Sequence, residues 1–405
     1  MYKIKNTRLI SESRISIYTK YFIVPIYYIL SVLLLSNSIA FIKVGQILYI
    51  LSLLLIGGFS VIYHRKMVSG GYLYWLFLLN CFITCLINNV WDIRLFFFTL
   101  ILIILTPITC SYNIFIFREK LLIVFFSLFP IMTVASFYCY FAGINMGSNL
   151  EDGSFHDFSA FFYMSISLAA AMGISNVVVS WLFLSSRKNY VRIALVVLLF
   201  CSFFVSLVSA SRSALFASIL VILFMFYINS KNIKIYLRVL ALIFCIGVVA
   251  QPYFMPYAER IQKKFEEGKG EEFGSRTILW RPSLNEFKKN PVFGYGFAVS
   301  YTAYGKKVGR VESGSGWLSI LFQTGITGFC CMLMMLKRVL KAYKFIREDK
   351  KLFLCFSVFV YLCLHSFFEG YILTTMLYLS LLFWLLLGYL QMYPYYKKMS
   401  LKINE

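Results

Sequence analysis

The sequence predicts an all-α, polytopic membrane protein with about twelve transmembrane helices and one large, partly helical extracytoplasmic loop. Three observations predict it. Hydrophobic residues make up 60% of the 405 and charged residues 14%, against roughly 45–50% and 25% in soluble chains. Apolar runs recur at the length of about 20 residues that a helix needs to cross a hydrocarbon core of about 30 Å. The basic excess, net +22, gathers in alternate short connections, as orientation in a bilayer requires. In a soluble chain that excess would suggest a nucleic-acid partner; here none is expected. A soluble enzyme and a disordered chain are excluded on the same composition.

Taken in order, a basic head (1–20) without a small-residue cleavage site leads into an uncleaved first span. Spans fall near 22–42, 45–63, 71–88, 93–110, 121–141, 158–183, 189–209, 212–228, 234–250, 316–336, 352–368 and 370–390. The thinnest divisions are the hinge at 208–213 and the turn at 368–371. Residues 1–250 thus carry spans one to nine, 251–315 form the outer loop, and 316–405 carry spans ten to twelve and a tail. With the N-terminus inside, inner connections hold 25 Lys and Arg and short outer ones hold 3, Lys43, Arg94 and Arg212. One missed span would invert that bias, so both termini are expected in the cytoplasm. The ten cysteines lie inside or at the ends of apolar runs, with no zinc or disulfide spacing. Cys81 and Cys85 read as packing residues.

Two outer connections are long. Residues 142–157 carry Glu151, Asp152, His156 and Asp157 and no cation; His156 there is weak evidence for a metal, and none is expected. His64 reads as topological. In 251–315, Tyr253, Tyr257, Ile261 and Phe265 recur every four residues, which predicts an amphipathic helix on the outer membrane surface. A second helix is predicted over 276–289, bent at Pro282 and restarted by a Ser283–Glu286 capping box. Asn290-Pro291 ends it and Gly294-Tyr295-Gly296 turns the chain.

Four groups have the chemistry for a site. Arg212 opens span eight, where its charge adds to the positive helix end and its free N–H groups; it reads as an anion site or as a snorkelling anchor. Arg276 and Arg281 flank Trp280, with 276 and 280 on one helix face: guanidinium forks for phosphate beside a ring that stacks on a sugar, or a solvated basic face. His365 and Glu369 are spaced i, i+4 at the outer end of span eleven; Glu369 suits a general base, or the two satisfy each other. Ser315 can N-cap span ten, within the glycine-rich stretch Glu312-Ser-Gly-Ser-Gly-Trp317, which lets a ligand approach the backbone or is simply a flexible join.

Together these residues resemble the superfamily of O-antigen polymerases and O-antigen ligases. The likeness rests on Ser211-Arg212-Ser213-Ala214-Leu215, on Arg276-Thr-Ile-Leu-Trp280 followed by Asn290-Pro-Val-Phe-Gly-Tyr-Gly296, and on Ser315-Gly-Trp-Leu-Ser-Ile-Leu-Phe-Gln-Thr-Gly-Ile-Thr-Gly328. It covers about 205–390. The resemblance implies a metal-independent, inverting glycosyltransferase in the bacterial cytoplasmic membrane, without cofactor or nucleotide sugar. Its substrate would be a polyprenyl-diphosphate-linked oligosaccharide, its surroundings membrane lipid, and a chain-length regulator a plausible partner protein. Arg212, Arg276 and Arg281 would hold the diphosphate, Trp280 the glycan, and Glu369 or His365 the acceptor proton. Ligases of the family usually carry a His-Asn pair where span ten opens; Ser-Gly stands around 313–316 here, which points to a Wzy-type polymerase of O-antigen or capsule units. The alternatives are the ligase and a lipid-linked oligosaccharide flippase. Transporters usually contain broken helices with charges near the midplane, and these spans are poor in charge.

Overall fold

The computed structural model describes residues 24–64, 70–147, 158–209, 211–229, 275–297, 300–301, 307–308 and 314–404. The expected span at 234–250, the amphipathic helix at 253–265, the basic head and His156 lie outside the described residues. Among the described residues the regular elements are helical apart from one antiparallel pair, Ser300–Tyr301 with Lys307–Val308. In chain order the helices are α1 (Val24–Ser38), α2 (Gly45–Tyr63), α3 (Gly71–Ile87), α4 (Ile93–Leu105), α5 (Tyr112–Phe141), α6 (Ser165–Ser185), α7 (Asn189–Val208), α8 (Arg212–Asn229), α9 (Ser275–Lys289), α10 (Gly316–Val339), α11 (Lys350–His365) and α12 (Tyr378–Asn404). Among the described residues six segments are long and apolar enough to cross a membrane: α2, α5, α6, α7, α8 and Gly316–Phe345. They mark a membrane protein without fixing twelve spans. Outward-facing side chains such as Ile47, Val61, Ile62 and Ile193 are two-thirds or more exposed, a surface suited to lipid rather than water.

Helix α6 is the hub. Every residue over 167–180 is buried, and the run Ala169-Ala170-Ala171-Met172-Gly173 lets neighbours approach closely. Tyr361 and Tyr378 donate their hydroxyls to the carbonyls of Ala170 (3.2 Å) and Ser167 (2.9 Å). Helix α7, by contrast, buries only Ser202, Val205, Ser206 and Val208.

Hydrogen bonds sort the helix ends onto two faces. On one, Lys351 pairs with Glu119 (2.8 Å), Trp181 Nε1 donates to Lys350 O (2.8 Å), Arg338 to the Tyr72 hydroxyl (3.1 Å) and Cys110 N to His64 Nδ1 (3.1 Å). On the other, Tyr163 N donates to Ser38 O (3.1 Å), Asn37 to Met376 O, and Gly316 N to Ser366 O (2.8 Å). Arg338, Lys350 and Lys351, counted among the inner-connection cations, take part in the first set of contacts.

Several boundaries differ from the sequence reading, each for a local reason. Helix α5 starts at Tyr112, not 121, because Ser111 caps it by accepting from Ile114 N (3.2 Å). Arg118, counted as an inner-connection cation, is buried inside this helix. Its guanidinium donates to Ile104 O (2.5 Å) and to Thr109 O (3.1 Å) and Oγ1 (3.2 Å), placing a cation on the negative end of α4. Residues 158–164 are not helical: Ala160 has φ +50°, and Phe162 bridges to Ile39. Helix α9 runs through Pro282 without the predicted restart, and Glu286 pairs with Lys289 (2.6 Å) instead of capping. Residues 370–377 form turns, and the last helix continues from Tyr378 to Asn404, making the expected tail helical. Cys81 and Cys85 are fully buried in the core.

Candidate functional site

The second face carries a site built from four chain segments. Helix α7 ends at Val208 and α8 begins at Arg212, with Ser211 O accepting from Leu215 N (3.4 Å). Arg212 is therefore the exposed first residue of a helix, at its positive end. The next residue, Ser213, is buried and donates to Glu369 Oε1 (3.4 Å). That bond brings the predicted cation and the predicted carboxylate, 157 positions apart in sequence, to one place.

Glu369 does not share a helix face with His365 as the i, i+4 spacing predicted. Helix α11 ends at His365, and Glu369 lies in the turn beyond it. Gly316 N donates to the carbonyls of both Ser366 (2.8 Å) and Glu369 (3.0 Å), tying the start of α10 to this turn. A Cβ at Gly316 would lie 2.9 Å from Ile372 Cγ1, so any larger residue would force the Ile372 side chain to shift. Ser315 caps α10 by accepting from Leu318 N (3.4 Å), as the sequence indicated, and Trp317 Nε1 donates to Cys363 O (3.0 Å) at the end of α11. His365 is fully buried between the rings of Tyr361 and Tyr371, at centroid distances of 5.5 and 5.6 Å.

Beside the turn lies an apolar groove of about 560 Å³, walled by Phe216, Trp280, Trp317, Leu321, Phe329 and Phe367, with Ser315 its one hydroxyl. Phe216 stands one helical turn after Arg212, and Trp280 one turn after Arg276. Both arginine-bearing helices thus border the same groove. The backbone of Arg276 lies in the first turn of α9; its side chain is outside the described residues. Arg281 is exposed on the same helix.

Sequence reasoning missed the joint beneath this groove. Helix α10 is broken at Gly325 (φ 71°, ψ −175°), and the 290–296 turn sits in the break. Tyr295 N donates to Phe322 O (3.0 Å) and Gly296 N to Gln323 O (3.3 Å), while Ile326 N donates to Pro291 O (3.0 Å) and Thr327 N to Val292 O (3.3 Å). The turn supplies the bonds that the helix loses, which irregular backbone at membrane depth requires. A Cβ on Gly294 would lie 2.5 Å from Phe322 O, and one on Gly325 would strike Val292 O. The signal was in plain view, Gly294-Tyr-Gly296 and Gly325-Ile-Thr-Gly328, but nothing local says that the two stretches interlock. Helix α3 closes the joint: Asn80 Nδ2 donates to Thr324 O (2.7 Å), Thr84 Oγ1 to Gln323 O (3.2 Å) and Asn88 Nδ2 to Gly294 O (3.1 Å).

Residues 197–333 match the family model of the O-antigen ligase. The match spans Arg212, Arg276, Trp280, Arg281, the inserted turn and the break, and stops short of His365 and Glu369. It supports a place in the superfamily of O-antigen ligases and polymerases, membrane enzymes acting on lipid-linked sugars. No curated protein matches the chain. The broken helix also removes one contrast with transporters: α10 has such a break, filled by the protein's own turn and held by neutral side chains.

Proposed function

We propose that the protein is a glycosyltransferase that polymerises polyprenyl-diphosphate-linked oligosaccharide units into O-antigen or capsular polysaccharide at the outer face of the bacterial cytoplasmic membrane. The observation that carries the reading is the Ser213–Glu369 hydrogen bond, close in sequence to Phe216 and to Phe367 and Phe368, which line an apolar groove. It sets a helix-end arginine, a carboxylate and a lipid-compatible surface side by side. The division into 1–250, 251–315 and 316–405 follows from this reading, as does the cytoplasmic placement of both termini.

In this mechanism the polyprenyl chain lies against the aromatic groove, and Arg212 with Arg276 and Arg281 holds the diphosphate. Glu369 takes the proton from the acceptor sugar hydroxyl, whose oxygen attacks the anomeric carbon from the side opposite the diphosphate. The sugar–phosphate C–O bond breaks with inversion, and the departing charge is stabilised by the guanidinium groups and the α8 N-terminus. Trp280 stacks on the glycan. The burial of His365 between two tyrosines favours Glu369 as the group that meets the acceptor. No step uses a metal or nucleotide. A chain-length regulator acts as a partner protein.

The ligase is a second reading, favoured by the family model itself, which is described as O-antigen ligase. Deletion separates the two: without a polymerase single repeat units remain on the lipid A core, and without a ligase no glycan is attached. In the deletion strain, Arg212→Ala, Arg276→Ala and Glu369→Gln are expected to abolish long surface glycan at unchanged protein level. Wild-type ladders from both arginine variants would sink the diphosphate site, and full activity of Glu369→Gln would remove Glu369 from the reaction.

A further inference from the structure

We infer that helix α3, outside the matched region, is the positioning element of the outer groove, acting through Asn80, Thr84 and Asn88. The inference rests on the reading that this groove receives the lipid-linked glycan. The physical chain is short. Asn80 and Thr84 hold the carbonyls of Thr324 (2.7 Å) and Gln323 (3.2 Å) on the N-terminal side of the break, and Asn80 Oδ1 accepts from Thr327 Oγ1 (2.7 Å) on the other. Asn88 reaches across to Gly294 O (3.1 Å), the tip of the inserted turn, and also donates to Thr84 O (2.8 Å). One face of α3 therefore grips both halves of α10 and the wedge between them.

Each gripped part leads directly to a wall of the groove. The half of α10 before Gly325 carries Trp317 and Leu321. The inserted turn is continuous with α9: Asn290 N donates to Phe287 O (3.1 Å), and the Phe287 ring lies 5.6 Å from Phe322. Two turns back along α9 from Phe287 stands Trp280. The spacing between Trp280 and Trp317 is thus set at a joint that touches neither. Buried amide and hydroxyl groups satisfied in this way specify one arrangement, because any other leaves them unpaired. Asn80, Thr84 and Asn88 are positioning residues: they hold backbone, and no substrate atom needs to reach them.

The test uses the full-length protein in detergent micelles and the deletion strain in parallel. Thr84→Val keeps the shape and removes the hydroxyl, Thr84→Ser restores it, and Asn88→Ala removes the bond to the turn. Hydrogen exchange is followed by mass spectrometry in peptides covering 290–297 and 322–328, which contain the amides of Tyr295, Gly296, Ile326 and Thr327. Thr84→Val and Asn88→Ala are expected to exchange about fivefold faster in both peptides, as loss of one buried hydrogen bond predicts. Surface glycan in those strains is expected to fall at matched protein level, with Thr84→Ser like wild type in both readouts. Unchanged exchange in Thr84→Val and Asn88→Ala would overturn the inference, and so would faster exchange with wild-type glycan. Failure of the transferase reading shows elsewhere, in active Arg212→Ala and Glu369→Gln strains, and leaves the exchange result intact.

Discussion

Replacing Gly325 by alanine distinguishes two accounts of the break in α10. If the break were a soft kink, alanine would heal it and stabilise the helix by about 0.5–1 kcal/mol, the usual preference over glycine. The geometry predicts the opposite sign. Gly325 has φ 71° and ψ −175°, a backbone that costs a residue with a side chain about 1–3 kcal/mol. Its Cβ would also strike Val292 O, the acceptor for Thr327 N and Thr327 Oγ1. Displacing that carbonyl weakens bonds worth about 0.5–1.5 kcal/mol each. The sum is a loss of roughly 2–6 kcal/mol. Thermal unfolding of the solubilised protein, followed by loss of the monodisperse fraction, measures it. Gly58→Ala is the control, since nothing lies within 4 Å of a Cβ there, inside α2. Gly325→Ala should melt several degrees below wild type and Gly58→Ala at or slightly above it. A Gly325→Ala protein as stable as Gly58→Ala would refute the wedge.

Arg118→Met should cost about 2–3 kcal/mol in the same assay, because the carbonyls of Ile104 and Thr109 lose a charged donor inside the protein. Lys351→Ala should cost under about 1 kcal/mol, its side chain being 57% exposed in the pair with Glu119. Gly173→Ala should destabilise by about 1–3 kcal/mol, since the new methyl meets the Tyr361 hydroxyl in a packed core. Phe216→Ala, which truncates the groove wall while leaving Arg212 in place, should lower recovery of lipid-linked glycan with the purified protein; equal recovery would detach the groove from the lipid chain.

Much of the fold was legible because hydropathy and charge act along the chain. Helices α2, α3, α7 and α8 lie within a residue or two of the predicted runs. The errors arose where tertiary partners override local pattern. Nothing around 112–120 announces that Arg118 folds back onto α4. The period of α10 reads straight through Gly325 because its apolar spacing is uninterrupted. The site was half legible: arginines at helix starts and a carboxylate near a span end carry their own signal. The Ser213–Glu369 contact and the grip of α3 on the inserted turn depend on residues far apart in sequence.

The wedge in α10 also constrains how the chain is made. A segment in lipid must have its backbone satisfied, and without the inserted turn α10 could meet that need only as an unbroken helix. Its break is satisfied only when a turn synthesised earlier takes over Phe322 O, Gln323 O and the N–H groups of Ile326 and Thr327. Two i, i−4 bonds within one helix are exchanged for four between segments. A chain truncated before α10 would therefore carry the 290–296 turn without the four backbone bonds that seat it.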